Sequence, residues 1–526
     1  MTDSSEESDP SATPSDRGVA SEGDGKSATG TLAKQGSITF AGDVFGKVFG
    51  FLIVAVITRL VSPSIYGLFV LATSLVLAIQ TFAGLGLPKA IDYFVPQYLR
   101  DGEVKRARAV IVTVMAVVLV SSTAVAVFLL LTRQFIADTF SEPALAFALL
   151  LLAVTFPLLA IYNVLLASFN AIKQLQYRVY TRNVVRPTVR FFVTATLLLS
   201  GWGLIGLVGG YIVGLLAATV VGTLLLVRNA PELVGRPQRA ASPRPLLAYG
   251  APLAIAGLIY TFLGQIDYFV LGFFASANEV GIYRVGYMLA SNLLIFFTAV
   301  APVFKPLIAE VHTQDALVQA RYQTATRWVA GLTLPVTIVI ALGASTYLSL
   351  VFTPQYSVAS FAVIALCIGF LINVTCGGPD GPILQGMGYS RLVFINTLVL
   401  LGTNAVLSVL LVPEFGVTGA GVATGTALAV TGIATVSEAY FLRGIHPFTR
   451  DLAKLFVAAV PATIAGAGVV VLFPRVIIAF LLPIVVLGVY ILCVLGLDGI
   501  VEEDAEFAAH VSPAAKRFVT AARTGE

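Results

Sequence analysis

The chain runs to 526 residues, of which 57% are hydrophobic and only 11% charged, less than half the charged share of about 25% usual in soluble domains. So few charges cannot cover the surface of a soluble protein of this size, which excludes a globular enzyme and points to a polytopic membrane protein. The formal charge of +4 comes from basic residues dispersed among connections, so no nucleic-acid surface is implied.

Residues 1–32 are rich in Ser, Asp and Glu and carry seven acids, Asp3, Glu6, Glu7, Asp9, Asp16, Glu22 and Asp24. A segment with so little apolar surface is expected to be a disordered tail. It lacks the basic start of a secretory signal, so the first apolar segment is expected to be retained. From there the apolar runs are continuous, not alternating, and most reach the roughly 20 residues that cross a hydrocarbon core as a helix. The fold class expected is therefore all-α. About fourteen spans are predicted, at 38–61, 65–87, 109–132, 144–168, 187–201, 203–227, 247–274, 281–302, 328–352, 358–376, 392–412, 416–441, 452–473 and 476–497. The stretch 498–526 turns polar again and is expected to be a second tail.

Charge orients this plan. With the N-terminus inside, the inner connections and adjoining helix ends hold twenty-one Lys and Arg, among them Lys89, Lys105, Arg178, Arg182, Arg186 and Arg190. The outer side holds four, Arg59, Arg133, Arg284 and Arg475. Such a bias predicts that both termini lie on the cytoplasmic side of a cell membrane. The basic stretch from Lys173 to Arg190, with Tyr177 and Tyr180 interleaved, reads as an interfacial anchor on anionic lipid, with recruitment of a phosphate-bearing lipid as the alternative.

A weak internal repeat underlies the spans. Sliding residues 36–101 by 214 positions gives nine identities in 66 and pairs Gly36 with Gly250, Gly50 with Gly264, Gly67 with Gly281, and Pro88 with Pro302. Backbone-special residues at matching places carry this signal. Six spans separate the copies, so the two are parallel in the membrane. The expected division is an N-lobe at 33–233 with helices 1–6, a C-lobe at 245–445 with helices 7–12, and two further helices at 451–497. Glycines spaced by four (Gly42, Gly46, Gly50; Gly206, Gly210, Gly214; Gly421, Gly425) predict close helix contacts.

The stretch from Gly42 to Phe51 (GDVFGKVFGF), then Arg59 to Phe69 (RLVSPSIYGLF), then Gly84 to Ala90 (GLGLPKA) resembles polysaccharide-transport flippases. These O-antigen-translocase-type proteins belong to the multidrug/oligosaccharidyl-lipid/polysaccharide exporter superfamily. The resemblance covers roughly residues 35–500. It implies two six-helix lobes around a lumen that moves a lipid-linked sugar by alternating access, with no ATP site, and no cofactor is expected.

Charges inside the predicted spans are the candidate site residues. Lys47 lies about ten residues into the first span, four after Asp43; the pair suits a local ion pair, or Lys47 faces the lumen and holds a phosphate. Asp267, some seven residues inside the seventh span with only Leu263, Gly264, Val270 and Leu271 as helical neighbours, is the candidate for a lumen or ion-coupling role, with a monovalent cation or proton as the coupling ion; the alternative is a hydrogen-bond partner to another helix. Arg59 and Arg284 sit near outer helix ends, where snorkelling explains them; with Lys89 at the inner mouth they complete the lumen candidates. The cysteines Cys367, Cys376 and Cys493 and the histidines His312, His446 and His510 lack metal-ligand or disulfide spacing. The expected function is a flippase carrying a polyprenyl- or dolichyl-phosphate glycan to the outer leaflet, for surface polysaccharide or, in a halophilic archaeon, N-glycosylation of a surface-layer glycoprotein. Its partners would be that glycan lipid and membrane lipids. The alternatives are a cation-coupled multidrug antiporter and a membrane polymerase or glycosyltransferase; for the last, the outer connection near Arg133–Pro143 is too short.

Overall fold

The structure, a computed structural model, describes residues 22–376 and 382–498, so most of both expected tails lies outside the described residues. Helix α1 (Glu22–Leu60) begins inside the expected N-terminal tail. After it come α2 (Pro63–Ala83), α3 (Leu87–Arg100), α4 (Val104–Thr139), α5 (Pro143–Leu152) and α6 (Thr155–Ala171). A continuous rod follows: α7 (Leu175–Val179), a π turn at Tyr180–Val185, and α8 (Arg186–Leu199); α9 (Gly203–Asn229) ends this half. The second half has α10 (Pro243–Leu263), α11 (Ile266–Phe274), α12 (Ala277–Ser291), α13 (Leu294–Glu310) and α14 (Asp315–Tyr347), which runs into a π turn at Leu348–Phe352. Then come α15 (Ser360–Thr375), α16 (Pro382–Gly386), α17 (Ser390–Arg443), α18 (Arg450–Leu472) and α19 (Arg475–Gly496). No strand occurs among the described residues.

Every predicted span falls on helix, but the count by length is lower than fourteen. Among the described residues, ten helices are individually long and apolar enough to cross a membrane, eleven if the α5–α6 pair, bent by 45°, is one span. The difference has a local cause. The seventh expected span breaks at Gly264–Gln265 and counts only through α10, and the eighth breaks after Ser291 into α12 and α13, each too short to count. The eleventh and twelfth appear as one helix bent at Gly416, whose φ of 51° suits a residue without Cβ. The fifth is α8, only 14 residues long.

The two halves meet on a symmetric seam. Ser62 caps α2 by accepting from the N–H of Ile65, and Ser276, its repeat mate, caps α12 through Glu279. A methyl group on Gly67 would strike the carbonyl of Ala277, and one on Gly281 would strike that of Pro63. Pro63 and Ala277 are themselves 214 apart, so the contact between α2 and α12 is reciprocal. Glu142 reinforces it by accepting from the backbone N–H of Ala277 at 3.0 Å. α18 and α19 pack on α14 around Leu334, Ile338, Leu455 and Leu482, outside this seam.

The glycine ridges supply the close contacts expected of them. Gly42 and Gly46 of α1 face Val179 and Asn183; Gly210 and Gly214 of α9 face Thr194 and Arg190; Gly421 and Gly425 of α17 face Ala362 and Ala365. In a bilayer, where lipid tails are as apolar as Leu, such backbone approach is what holds helices together. Gly50 differs: nothing lies within 4 Å of the place a Cβ would take.

Candidate functional site

That open space belongs to a lumen of two chambers that share part of their lining. The larger, about 410 Å³, lies between the halves and is lined by α1, α2, α8, α9, α11 and α12. The second, about 400 Å³, lies between α1 and α8. Both are bordered by Lys47, Gly50, Ile53 and Arg190. At one end the lumen is shut: Ile57 and Thr58 are buried, and Arg59 donates from Nε to the carbonyl of Val351 at 3.0 Å and from Nη2 to that of Leu350 at 2.6 Å. These carbonyls sit in the last turn of a helix, where nothing intrahelical satisfies them. Toward Asp43 and Arg182, both exposed, the lumen widens.

Five cations, Lys47, Arg182, Arg186, Arg190 and Arg284, line the chambers against one acid, Asp43. Among the described residues none of the five has a carboxylate within ion-pair distance. Aromatic faces hold the arginines instead. The Arg186 guanidinium lies 5.2 Å from the Tyr162 ring and 5.5 Å from that of Tyr211. Arg190 lies 5.2 Å from Tyr211 and 5.6 Å from Phe69. Arg284 donates to the Tyr268 hydroxyl at 2.9 Å. Cation–π contacts steady such groups without neutralising them, so the lumen keeps a net positive field.

Of the residues expected in the lumen, Lys47, Asp43 and Arg284 border it. The local ion pair between the first two is absent; Asp43 instead accepts from Asn183 Nδ2 at 2.6 Å, because Gly46 lets α1 approach that residue. Snorkelling does not describe Arg284, which lies two turns inside α12 among Tyr66, Tyr268 and Met288. Arg59 and Lys89 line neither chamber: Arg59 closes the seam, and Lys89 is two-thirds exposed and pairs with Asp92 at 3.5 Å. Sequence reasoning placed Arg186 and Arg190 among the inner-side cations and so missed them as lumen residues. The signal was there, since Arg178, Arg182, Arg186 and Arg190 are spaced by four and form one helical stripe running into an apolar segment.

Asp267 stands apart from the lumen cations. It is 7% exposed and accepts from Tyr283 at 2.7 Å and Thr424 at 2.9 Å. Asn404 donates to Thr424 at 3.0 Å, and Ser408 to Asn404 at 3.2 Å. Its second oxygen, Oδ1, is buried without a hydrogen-bond partner in the described structure. Oxygen-bearing side chains from α11, α12 and α17 thus converge on one carboxylate, the donor set that suits a hard monovalent cation or a proton.

Comparison with known proteins agrees with this architecture. A family described as polysaccharide biosynthesis protein matches residues 56–361. The chain is 25% identical over 196 residues to a probable low-salt glycan biosynthesis flippase of Haloferax volcanii, covering 37% of this chain and 40% of that one. It is 28% identical over 215 residues to a probable flippase of the same organism, covering 40% and 43%. The matched stretches thus span about two fifths of those relatives' own length. Among solved structures, a lipid II flippase in an inward closed conformation superposes with a TM-score of 0.68 at 13% identity, covering 86% of this chain and 97% of that one. An inward-facing multidrug resistance transporter, described as of the MOP superfamily, gives 0.63 at 10%, covering 76% and 94%. These two likenesses are of fold.

Proposed function

The chain belongs to the polysaccharide biosynthesis protein family, and from that premise we propose that it is a flippase for a phosphate-linked glycan lipid, working by alternating access from the cytoplasmic to the outer leaflet. One observation carries the reading: the lumen presents five cations and one acid, beside hydroxyl and amide side chains. An anionic headgroup drawn through a low-dielectric interior needs compensating charge, because an unpaired ion there costs several kcal/mol even after relaxation. Sugars need hydrogen-bonding groups, which Thr73, Ser74, Gln265 and Asn292 offer. The name of one relative, a probable low-salt glycan biosynthesis flippase, supports glycan lipid as the class of cargo, and with a haloarchaeal source the product would serve surface-layer N-glycosylation. Lys47, Arg284 and Asp43 are proposed as lumen residues and Asp267 as the ion-coupling carboxylate. The charge bias supports an orientation with the Asp43 end of the lumen toward the cytoplasm.

The competing reading is a cation-coupled multidrug antiporter, favoured by the shared fold and by the Asp267 network. A lumen with this excess of positive charge repels cationic drugs, and the flippase reading is preferred for that reason. The test is in cells. Deleting the protein should leave the lipid-linked glycan assembled but confined to the cytoplasmic leaflet, with mature surface glycan reduced. A precursor that fails to form at all would point to an assembly enzyme and overturn the proposal.

A further inference from the structure

We propose that the lumen is divided by chemistry: the chamber between α1 and α8 is a seat for the phosphate of the lipid, and the chamber between the halves is a seat for its sugars. This rests on the flippase reading and goes further, because it assigns the headgroup to a stripe of arginines that composition alone places at an interface.

The phosphate seat is lined by Lys47, Arg182, Arg186 and Arg190. Its acid, Asp43, is engaged by Asn183. Tyr211 stands between two of the arginines, 5.5 Å from Arg186 and 5.2 Å from Arg190. The N–H edge of a guanidinium is the part that grips phosphate oxygens in bidentate fashion. Arg190 Nε is such an edge: it is buried and has no hydrogen-bond partner in the described structure. A buried donor without a partner is costly, so a phosphate oxygen arriving there recovers that energy. The π turn ends at Val185, one residue before Arg186, and single π turns recur at functional sites. Gly42 and Gly46 bring α1 against this turn at Val179 and Asn183, which sets Lys47 opposite the arginines.

The other chamber has a different lining. Apart from Arg284 and the two cations it shares, its polar side chains are uncharged, among them Thr73, Ser74, Gln265, Ser291 and Asn292, with Tyr66, Tyr211 and Tyr268 as aromatic surfaces. Amides and hydroxyls match sugar hydroxyl groups, and aromatic faces suit the apolar faces of pyranose rings.

The division is tested on the purified full-length protein in lipid nanodiscs, with binding read by native mass spectrometry. The probes are a polyprenyl monophosphate, the same polyprenol without phosphate, and inorganic pyrophosphate. The polyprenyl phosphate should bind, and the polyprenol at least about tenfold more weakly, since it lacks the charged acceptor of the strongest hydrogen bonds. Arg186→Gln and Arg190→Gln should each weaken polyprenyl phosphate binding by about tenfold, with Arg186→Lys and Arg190→Lys intermediate. Tyr211→Leu should weaken it where Tyr211→Phe does not, because the ring positions the arginines. Lys89→Gln, outside both chambers, controls for general loss of charge, and thermal melting checks folding. Gln265→Ala with Asn292→Ala should weaken a glycan-bearing lipid phosphate more than the bare one. If Arg284→Gln weakens the bare lipid phosphate as much as Arg186→Gln and Arg190→Gln do, the division is overturned while the flippase reading stands. Pyrophosphate binding as tightly as the lipid would overturn the lipid assignment in favour of a soluble anion. If folded wild-type protein takes no phosphate-bearing lipid, the functional reading itself fails.

Discussion

Lys47 and Asp43 are four residues apart on one helix face, and spacing alone suggests that they neutralise each other. The structure separates them, since Asp43 is taken by Asn183 and Lys47 is left facing both chambers. Two forecasts differ accordingly. If Lys47 serves the substrate, Lys47→Ala lowers transport by about tenfold or more, on the scale of one lost charge-assisted contact, and Lys47→Arg keeps much of it. If the pair is structural, the double change Asp43→Ala/Lys47→Ala restores transport. The expected outcome is no rescue, measured as surface glycan at matched protein levels. Asp267 makes a second case at this scale. Asn at that position keeps an oxygen for Tyr283 and Thr424 but loses the charge, so Asp267→Asn should express normally while transport loses its dependence on an imposed sodium or proton gradient. A variant that keeps that dependence would remove Asp267 from the coupling site.

Helices in this protein meet where side chains are missing. A Cβ on Gly214 would come within 2.8 Å of Arg190 Cβ and 3.1 Å of the Arg186 carbonyl. The helix that carries the arginines is thus held by a ridge on α9. Gly214→Leu forces α8 away and should cost about 1–3 kcal/mol of stability, the usual range for overpacking, while moving both arginines off Tyr211. Gly402, with nothing within 4 Å of its Cβ position, is the matched control, and Gly402→Leu should leave melting and transport unchanged. Equal losses in the two variants would mean that added bulk on a helix, and not contact with α8, is responsible. The Gly ridges themselves were legible from spacing by four; which helix two of them face was not, because Val179 and Ala362 are distant in sequence from Gly42 and Gly421, which they touch.

For the whole molecule, the lumen is closed at the Arg59 end and exposed at the Asp43 end, which in the proposed alternating-access cycle would be one of its conformations. Arg59 ties α1 to a turn almost three hundred residues later, and Glu142 ties α5 to α12. Removing the first tie should favour the state opened at that end. Arg59→Ala should therefore raise maleimide labelling of a cysteine placed at Ile57, 1% exposed in this structure, in protein freed of Cys367, Cys376 and Cys493. Unchanged labelling would leave Arg59 without a part in closure. Orientation is tested with the same reagent on intact cells. Cysteine at exposed Asn278 should label from outside and cysteine at exposed Gln176 should not; the reverse pattern would invert the membrane orientation.

Residue by residue, the sequence determined that this chain is helical and lives in a membrane, where most of its apolar segments lie, and that glycines spaced by four meet neighbours, Gly50 excepted; it missed α3 and set the starts of α1 and α14 too late. Those properties are local: a bilayer admits only segments that satisfy their own backbone, and apolar run length and residue spacing report that directly. It also carried the repeat, through Ser62 with Ser276 and Gly67 with Gly281, because a backbone contact without a Cβ tolerates little else. What only the tertiary structure decided is which charges share a space. Arg186 and Arg190 look like interfacial anchors until α1, α2 and α9 close around them, and Asp267 looks solitary until Thr424 arrives from 157 residues away. A lumen is a property of helices packed side by side, and charge that lines it has no signature along the chain, since its neighbours come from elements whose order in space the local pattern does not encode.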